Sequence, residues 1–184
     1  MKLYVVRHGE TDWNKRNQVQ GATDNPLNET GLKQADQTGK NLADIQCTRI
    51  YASPLIRARQ TAEAINAYQK HPVDIIIEPA IVEQNFGIYE GWPRDNEEYQ
   101  KEKHKYFARF ENGESLFDVA ARVYPFLEKL EKECGPDDVV LLSAHGGISR
   151  MAASRYRALD NEQFINYFAK NCEADVYDIP TPSR

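Results

Sequence analysis

Several apolar runs in this sequence end in side chains able to do chemistry. "YVV" leads into Arg7, His8, Gly9 and Glu10, and "VVLLSA" leads into His145, Gly146 and Gly147. Between them, "RIYA" leads into Ser53, Pro54 and then Arg57, and "IIIEPAIV" leads into Glu83. Arginines, histidines and a carboxylate together suit chemistry on a phosphate. Guanidinium matches phosphate oxygens in bidentate fashion and stays charged at any physiological pH. An imidazole nitrogen that lacks its proton can attack phosphorus. Cations around His8, namely Arg7, Arg57 and a protonated His145, would favour that neutral form. Glu83 can supply a proton to a leaving alkoxide. The glycine after each histidine lets backbone approach an anion, and a helix starting near Gly147 would add its free N–H groups.

Such residues must be delivered by regular elements. Short β-branched runs predict strands over 3–6, 49–52, 73–77, 139–143 and 174–179. Helical spacing of Leu32, Ala35, Gly39 and Leu42 follows Thr30, a fitting N-cap. "SPLIRARQTAEAINAY" suggests Ser53 as N-cap with Pro54 in the first helical position. Ser115 opens a third helix whose Leu116, Val119, Ala120, Val123, Leu127 and Leu130 share a face. That helix should stop at Gly135-Pro136 and kink at Pro125. Alternating strands and helices predict an α/β fold: a mostly parallel central sheet flanked by helices on both faces. Ligands in such sheets sit beyond the carboxyl ends of the strands, where Arg7, His8, Arg57, Glu83 and His145 fall. A clamp at strand ends should add little to the core.

The 184 residues suit a single domain over 1–184. A net charge of −5 and a pI near 5.4 speak against nucleic acid as a partner, while leaving room for a local basic pocket. No stretch has the length of a signal peptide or a membrane span. Cys47, Cys134 and Cys172 are widely spaced and read as reduced thiols of a cytoplasmic protein. Four histidines without H-x-x-x-H spacing, and no paired cysteines or calcium-loop pattern, leave metal sites unsupported. G-x-x-x-x-G-K-[ST], G-x-G-x-x-G and G-x-S-x-G are absent too.

The ordered series "RHGETDWN", "QGATDNPLNETGLKQA", "SPLIRARQTA", "IVEQNFGIYEGW", "GESLFDVAARV" and "LLSAHGG" resembles the histidine phosphatase superfamily, in its phosphoglycerate-mutase-like branch. The resemblance runs from Val5 to about Arg150. It implies a phosphohistidine on His8, a phosphoryl clamp of Arg7, Arg57 and His145, and Glu83 as general acid and later activator of water. It further implies substrate contacts from Thr11, Asn14, Gln20, Gly21 and Gly146, with no metal or organic cofactor. Asn85 stands where relatives often carry an acidic residue.

Competing readings exist for several of these positions. Arg59 neighbours Arg57, and Glu78 and Glu90 flank Glu83. Trp13 and Trp92 read as packing anchors. The charged stretch 94–114 reads as a solvated helix turning Tyr99, Tyr106, Phe107 and Phe110 inward. Alternatively it is a lid whose Lys101, Lys103, His104, Lys105 or Arg109 select the substrate's other end. Mutases of the family usually carry a longer insertion here with an adjacent arginine pair that holds a carboxylate. The span from Trp92 to Asn112 is short and lacks that pair, so the carboxylate clamp is expected to be missing. The expected activity is therefore that of an acid-type histidine phosphatase, a phosphomonoesterase acting on small phosphorylated metabolites. The alternatives are mutase-type phosphoryl transfer and a non-catalytic phosphate-binding module. Substrate identity and oligomeric state stay open.

Overall fold

The computed structural model describes residues 1–180. Strands β1 (Lys2–Arg7), β2 (Arg49–Ala52), β3 (Ile75–Ile77), β4 (Val139–Ala144) and β5 (Ala174–Asp178) form one sheet in the order β3-β2-β4-β1-β5. All neighbouring pairs are parallel except β1–β5. Helices α1 (Asp12–Lys15), α2 (Glu29–Asn41), α3 (Ile56–Asn66), α4 (Glu97–Glu102), α5 (Leu116–Glu133), α6 (Gly146–Tyr156) and α7 (Asn161–Asn166) lie between the strands. The expected strand over 73–77 is shorter, because only Ile75 to Ile77 pair with β2.

Alternation along β1 divides the core between the two faces of the sheet. Leu3 and Val5 pack with Val123, Leu127, Ile148 and Met151 of α5 and α6. Tyr4 and Val6 pack with Ala62 and Ile65 of α3 on the opposite face. The α5 stripe is buried at Val119, Val123, Phe126, Leu127 and Leu130. Burying each large side chain contributes about 1.5–3 kcal/mol. Ser115 caps α5 through a capping box with Asp118. Pro125 lies inside α5, which continues unbroken to Glu133.

Two helix starts differ from expectation. Asn28, not Thr30, caps α2, because its side chain accepts from the Gly31 N–H at 2.8 Å. Helix α3 begins at Ile56 after Leu55, so neither Ser53 as cap nor Pro54 as first residue holds. The Ser53 hydroxyl instead faces His145.

Residues 94–114 hold only the short α4 with turns around it. Tyr99 and Phe110 are buried with Val19 and Tyr89, as the inward reading requires. Phe107 is not: it is 79% exposed. Trp92 packs edge-on against Tyr89 at 5.1 Å, and Trp13 lies over Gly91. Cys47, Cys134 and Cys172 form no disulfide. Among the described residues, no helix is long and apolar enough to cross a membrane.

Candidate active site

Strand register alone brings the two histidines together. Arg7 lies opposite Ala144 in the parallel β1–β4 ladder, so the next residues, His8 and His145, leave the sheet side by side. Their ring centroids are 5.2 Å apart. The His8 ring donates from Nδ1 to the Gly9 carbonyl at 2.7 Å, which leaves Nε2 with its lone pair. His145 Nε2 meets the Ser53 hydroxyl at 2.8 Å, and its buried Nδ1 has no partner among the described residues. Ser53 was readable only as a cap, because its link to His145 spans 92 positions.

Arg57 is fully buried. It donates to the Thr23 carbonyl at 2.8 Å and the Gly21 carbonyl at 2.7 Å. The Gln20 amide, oriented to satisfy both neighbours, accepts from Arg57 Nε at 2.8 Å and donates to Thr11 Oγ1 at 2.6 Å. Thr11, Gln20 and Gly21 therefore hold the Arg57 guanidinium. Asn14 closes the capping box of α1 with Thr11. Gly9 tolerates no side chain, because a Cβ would lie 2.5 Å from the Gly31 carbonyl oxygen. Close packing, besides any anion, thus requires that glycine.

Arg7 donates to the Ala169 carbonyl at 2.7 Å and lies 5.3 Å from the Phe168 ring, a cation–π contact. Its Nε is buried without a partner among the described residues. Helix α6 starts at Gly146, directly after His145, so its first N–H groups face this region. A Cβ on Gly146 would sit 3.8 Å from Arg7 Nε and 4.0 Å from Glu83, which places all three together. Glu83 accepts from the Gly147 N–H at 3.1 Å and the Gln84 N–H at 2.9 Å. A Cβ at 147 would lie 2.3 Å from the Glu83 carboxylate, so a side chain there would push that carboxylate aside.

Arg122 of α5 fixes the loop that carries Glu83. Its guanidinium donates to the carbonyls of Ala80 and Val82 at 2.7 Å each and of Glu83 at 3.3 Å, and pairs with Glu114 at 3.1 Å. Glu83 thus comes from a braced loop beyond a short 3₁₀ turn (Pro79–Ile81), not directly from a strand end. Glu78 caps that turn and Glu90 binds the backbone of residues 22 and 23, so both flanking carboxylates are engaged elsewhere.

Burial, followed by the positive field of Arg57, holds both imidazoles well below the usual histidine range. His145 is therefore neutral in the free site, contrary to the expectation of a cation there. Burial also lowers Arg7 and Arg57 to about 10, which leaves both charged at neutral pH.

A cavity of about 270 Å³ opens onto this region, and Arg7, Gln20, Glu83, Gly146, Arg94, Lys103 and Arg150 are among its lining residues. His8, Arg57 and His145 are buried and are not among the residues that line it; nor are Thr11, Asn14 and Gly21. Among the lid candidates, Lys103, His104 and Lys105 line the cavity. Lys101 lies outside it, and Arg109 is paired with Asp118 at 2.6 Å. Arg94, Lys103 and Arg150 reach the cavity from separate segments of the chain, and its lining holds no adjacent arginine pair. Arg94 and Arg150 carried no local signal, and neither did the Ile165–Ala169 wall with Phe168.

The chain is 39% identical over 142 residues to an uncharacterized phosphatase, PhoE, of Bacillus subtilis, covering 77% of this chain and 70% of that one. It is 31% identical over 175 residues to a 2,3-bisphosphoglycerate-dependent phosphoglycerate mutase of Bartonella henselae, covering 89% and 85%. A solved mycobacterial glucosyl-3-phosphoglycerate phosphatase with VO3 superposes with a TM-score of 0.81 at 25% identity, covering 97% and 99%. A family model matches residues 3–181, and the chain belongs to the histidine phosphatase superfamily, branch 1.

Proposed function

We propose that this chain is a phosphomonoesterase that hydrolyses small phosphorylated metabolites through a phosphohistidine on His8. One observation carries the reading: a buried neutral imidazole, its Nδ1 proton held by Gly9 and its Nε2 free, beside His145 and two guanidinium groups. Nε2 attacks phosphorus, the ester P–O bond breaks, and the leaving oxygen takes a proton from Glu83. Water then attacks the phosphohistidine, gives its proton to the Glu83 carboxylate, and the P–N bond breaks. The unpartnered Arg7 Nε and His145 Nδ1 supply donors for the phosphoryl oxygens, and such preorganised charge is the main source of rate in phosphoryl transfer. Thr11, Gln20 and Gly21 act through Arg57, Gly146 through the α6 N-terminus, and Asn14 through the α1 cap.

The finer reading is an acid-type enzyme, because the first step needs a protonated Glu83 carboxyl. Phosphate release from an aryl ester with chelator present tests the reaction. Turnover that vanishes in His8→Ala supports the hydrolase, and an inert parent chain supports a phosphate-binding module. The mutase relative supports a second reading, transfer to another oxygen of a phosphorylated acid. Rapid isomerisation of 3-phosphoglycerate with its bisphosphate primer and little free phosphate would favour it.

A further inference from the structure

We infer that Ser53 is a positioning residue of the reaction: its hydroxyl donates to His145 Nε2, which fixes the proton of that ring on Nδ1, where it meets a phosphoryl oxygen. The inference rests on the phosphatase reading for the oxygen that the proton meets, and on hydrogen-bond geometry for the rest.

Sheet order sets the contact. Strand β4 lies between β2 and β1, so His145 leaves the sheet with Ser53 on one side and His8 on the other. The Ser53 N–H donates to the Ser143 carbonyl at 3.0 Å, just past the last β2–β4 pair. Ser53 and His145 are both fully buried. The Ser53 oxygen accepts from the Leu55 N–H at 3.3 Å and lies 2.8 Å from His145 Nε2. Those are the only two partners of the hydroxyl among the described residues. Its hydrogen therefore has one acceptor, the Nε2 lone pair. With the ring proton on Nε2 instead, two N–H donors would aim at the Ser53 oxygen and strand its hydrogen in a dry site.

A neutral imidazole carries one ring proton, so a bare Nε2 puts it on Nδ1. Nδ1 is buried without a partner among the described residues, which suits a donor reserved for an arriving anion. His8 shows the same device with the opposite effect. There a carbonyl acceptor, that of Gly9, takes the Nδ1 proton and leaves the site a lone pair. At His145 a hydroxyl donor takes the lone pair and leaves the site a proton. One ring can thus attack phosphorus while the other, 5.2 Å away, holds an oxygen of the same group. In the other tautomer the Nδ1 lone pair would repel that oxygen.

Ring-nitrogen NMR of the histidine-labelled chain tests this directly, with His145 identified by the signals that His145→Gln lacks. The expected spectrum at neutral pH has a protonated Nδ1 and a bare Nε2 on His145. A bare Nδ1, or protons on both nitrogens, overturns the inference and leaves a phosphohistidine on His8 standing. In Ser53→Ala the fixed tautomer should give way to a mixture; an unchanged tautomer there would make the serine merely structural and overturn its role. The same variant should lose about tenfold in kcat/KM, short of the roughly hundredfold lost when an oxyanion donor is deleted outright. It should also bind inorganic phosphate more weakly by calorimetry, a readout that needs no turnover. A parent chain that turns nothing over, yet shows the tautomer and the phosphate effect, removes the hydrolase and keeps the role of Ser53. A double-mutant cycle completes the test. In a His145→Gln background Ser53→Ala should cost nothing further in kcat/KM, because it acts only through that ring. Equal losses in both backgrounds overturn the inference.

Discussion

Because the Gly9 carbonyl holds the Nδ1 proton of His8, the reactive lone pair lies on Nε2 without any need for a general base. The same logic of partners governs Arg57. A strand-end clamp looked dispensable for folding, yet its buried guanidinium satisfies the carbonyls of Gly21 and Thr23 and the Gln20 amide. Arg57→Ala should therefore cut kcat/KM by orders of magnitude and also cost about 2–4 kcal/mol of stability by leaving buried acceptors unpaired. Parallel kinetics and urea unfolding check both; unchanged stability would mean water replaces the guanidinium. Glu83→Gln should slow alkyl phosphates far more than aryl phosphates, since only poor leaving groups need its proton. Equal slowing across a leaving-group series would assign Glu83 another duty.

At the scale of elements, the strands were legible because apolar, β-branched runs leave little choice, and the site lies where those runs end. Helix starts were less so. Thr30 and Asn28 both suit an N-cap, and only backbone geometry chooses Asn28. Ser53-Pro54 imitates a helix start while the hydroxyl serves His145. Tertiary partners of that kind, like Arg122 on the Glu83 loop or Arg150 in the cavity lining, have no local spacing to betray them. Arg122 is a positioning residue. Arg122→Met should lower kcat more than it raises KM and should reproduce the leaving-group dependence of Glu83→Gln. A uniform loss for alkyl and aryl esters would reduce Arg122 to a stabilising role.

For the whole molecule, two buried neutral histidines make stability depend on pH. Both native values lie well below 6.5, so under mildly acid conditions the unfolded chain binds protons that the native chain does not. Stability then rises with pH across that window and falls as pH drops below about 6.5. Urea midpoints at pH 7.5 and 5 should show this, with a smaller fall in His145→Gln; an identical fall in that variant would place the titration elsewhere. Inorganic phosphate should raise the melting temperature, because the site binds it only when folded. The sheet order that puts β1 beside β4 underlies all of this, since it alone joins positions 8 and 145. The most direct measurement is rapid-quench trapping with a labelled phosphomonoester, followed by peptide mapping under alkaline conditions. Acid-labile phosphate on the His8 peptide, formed and lost at rates matching turnover, is the predicted result. Turnover with no phosphoenzyme, or with label on any other residue, would contradict the account.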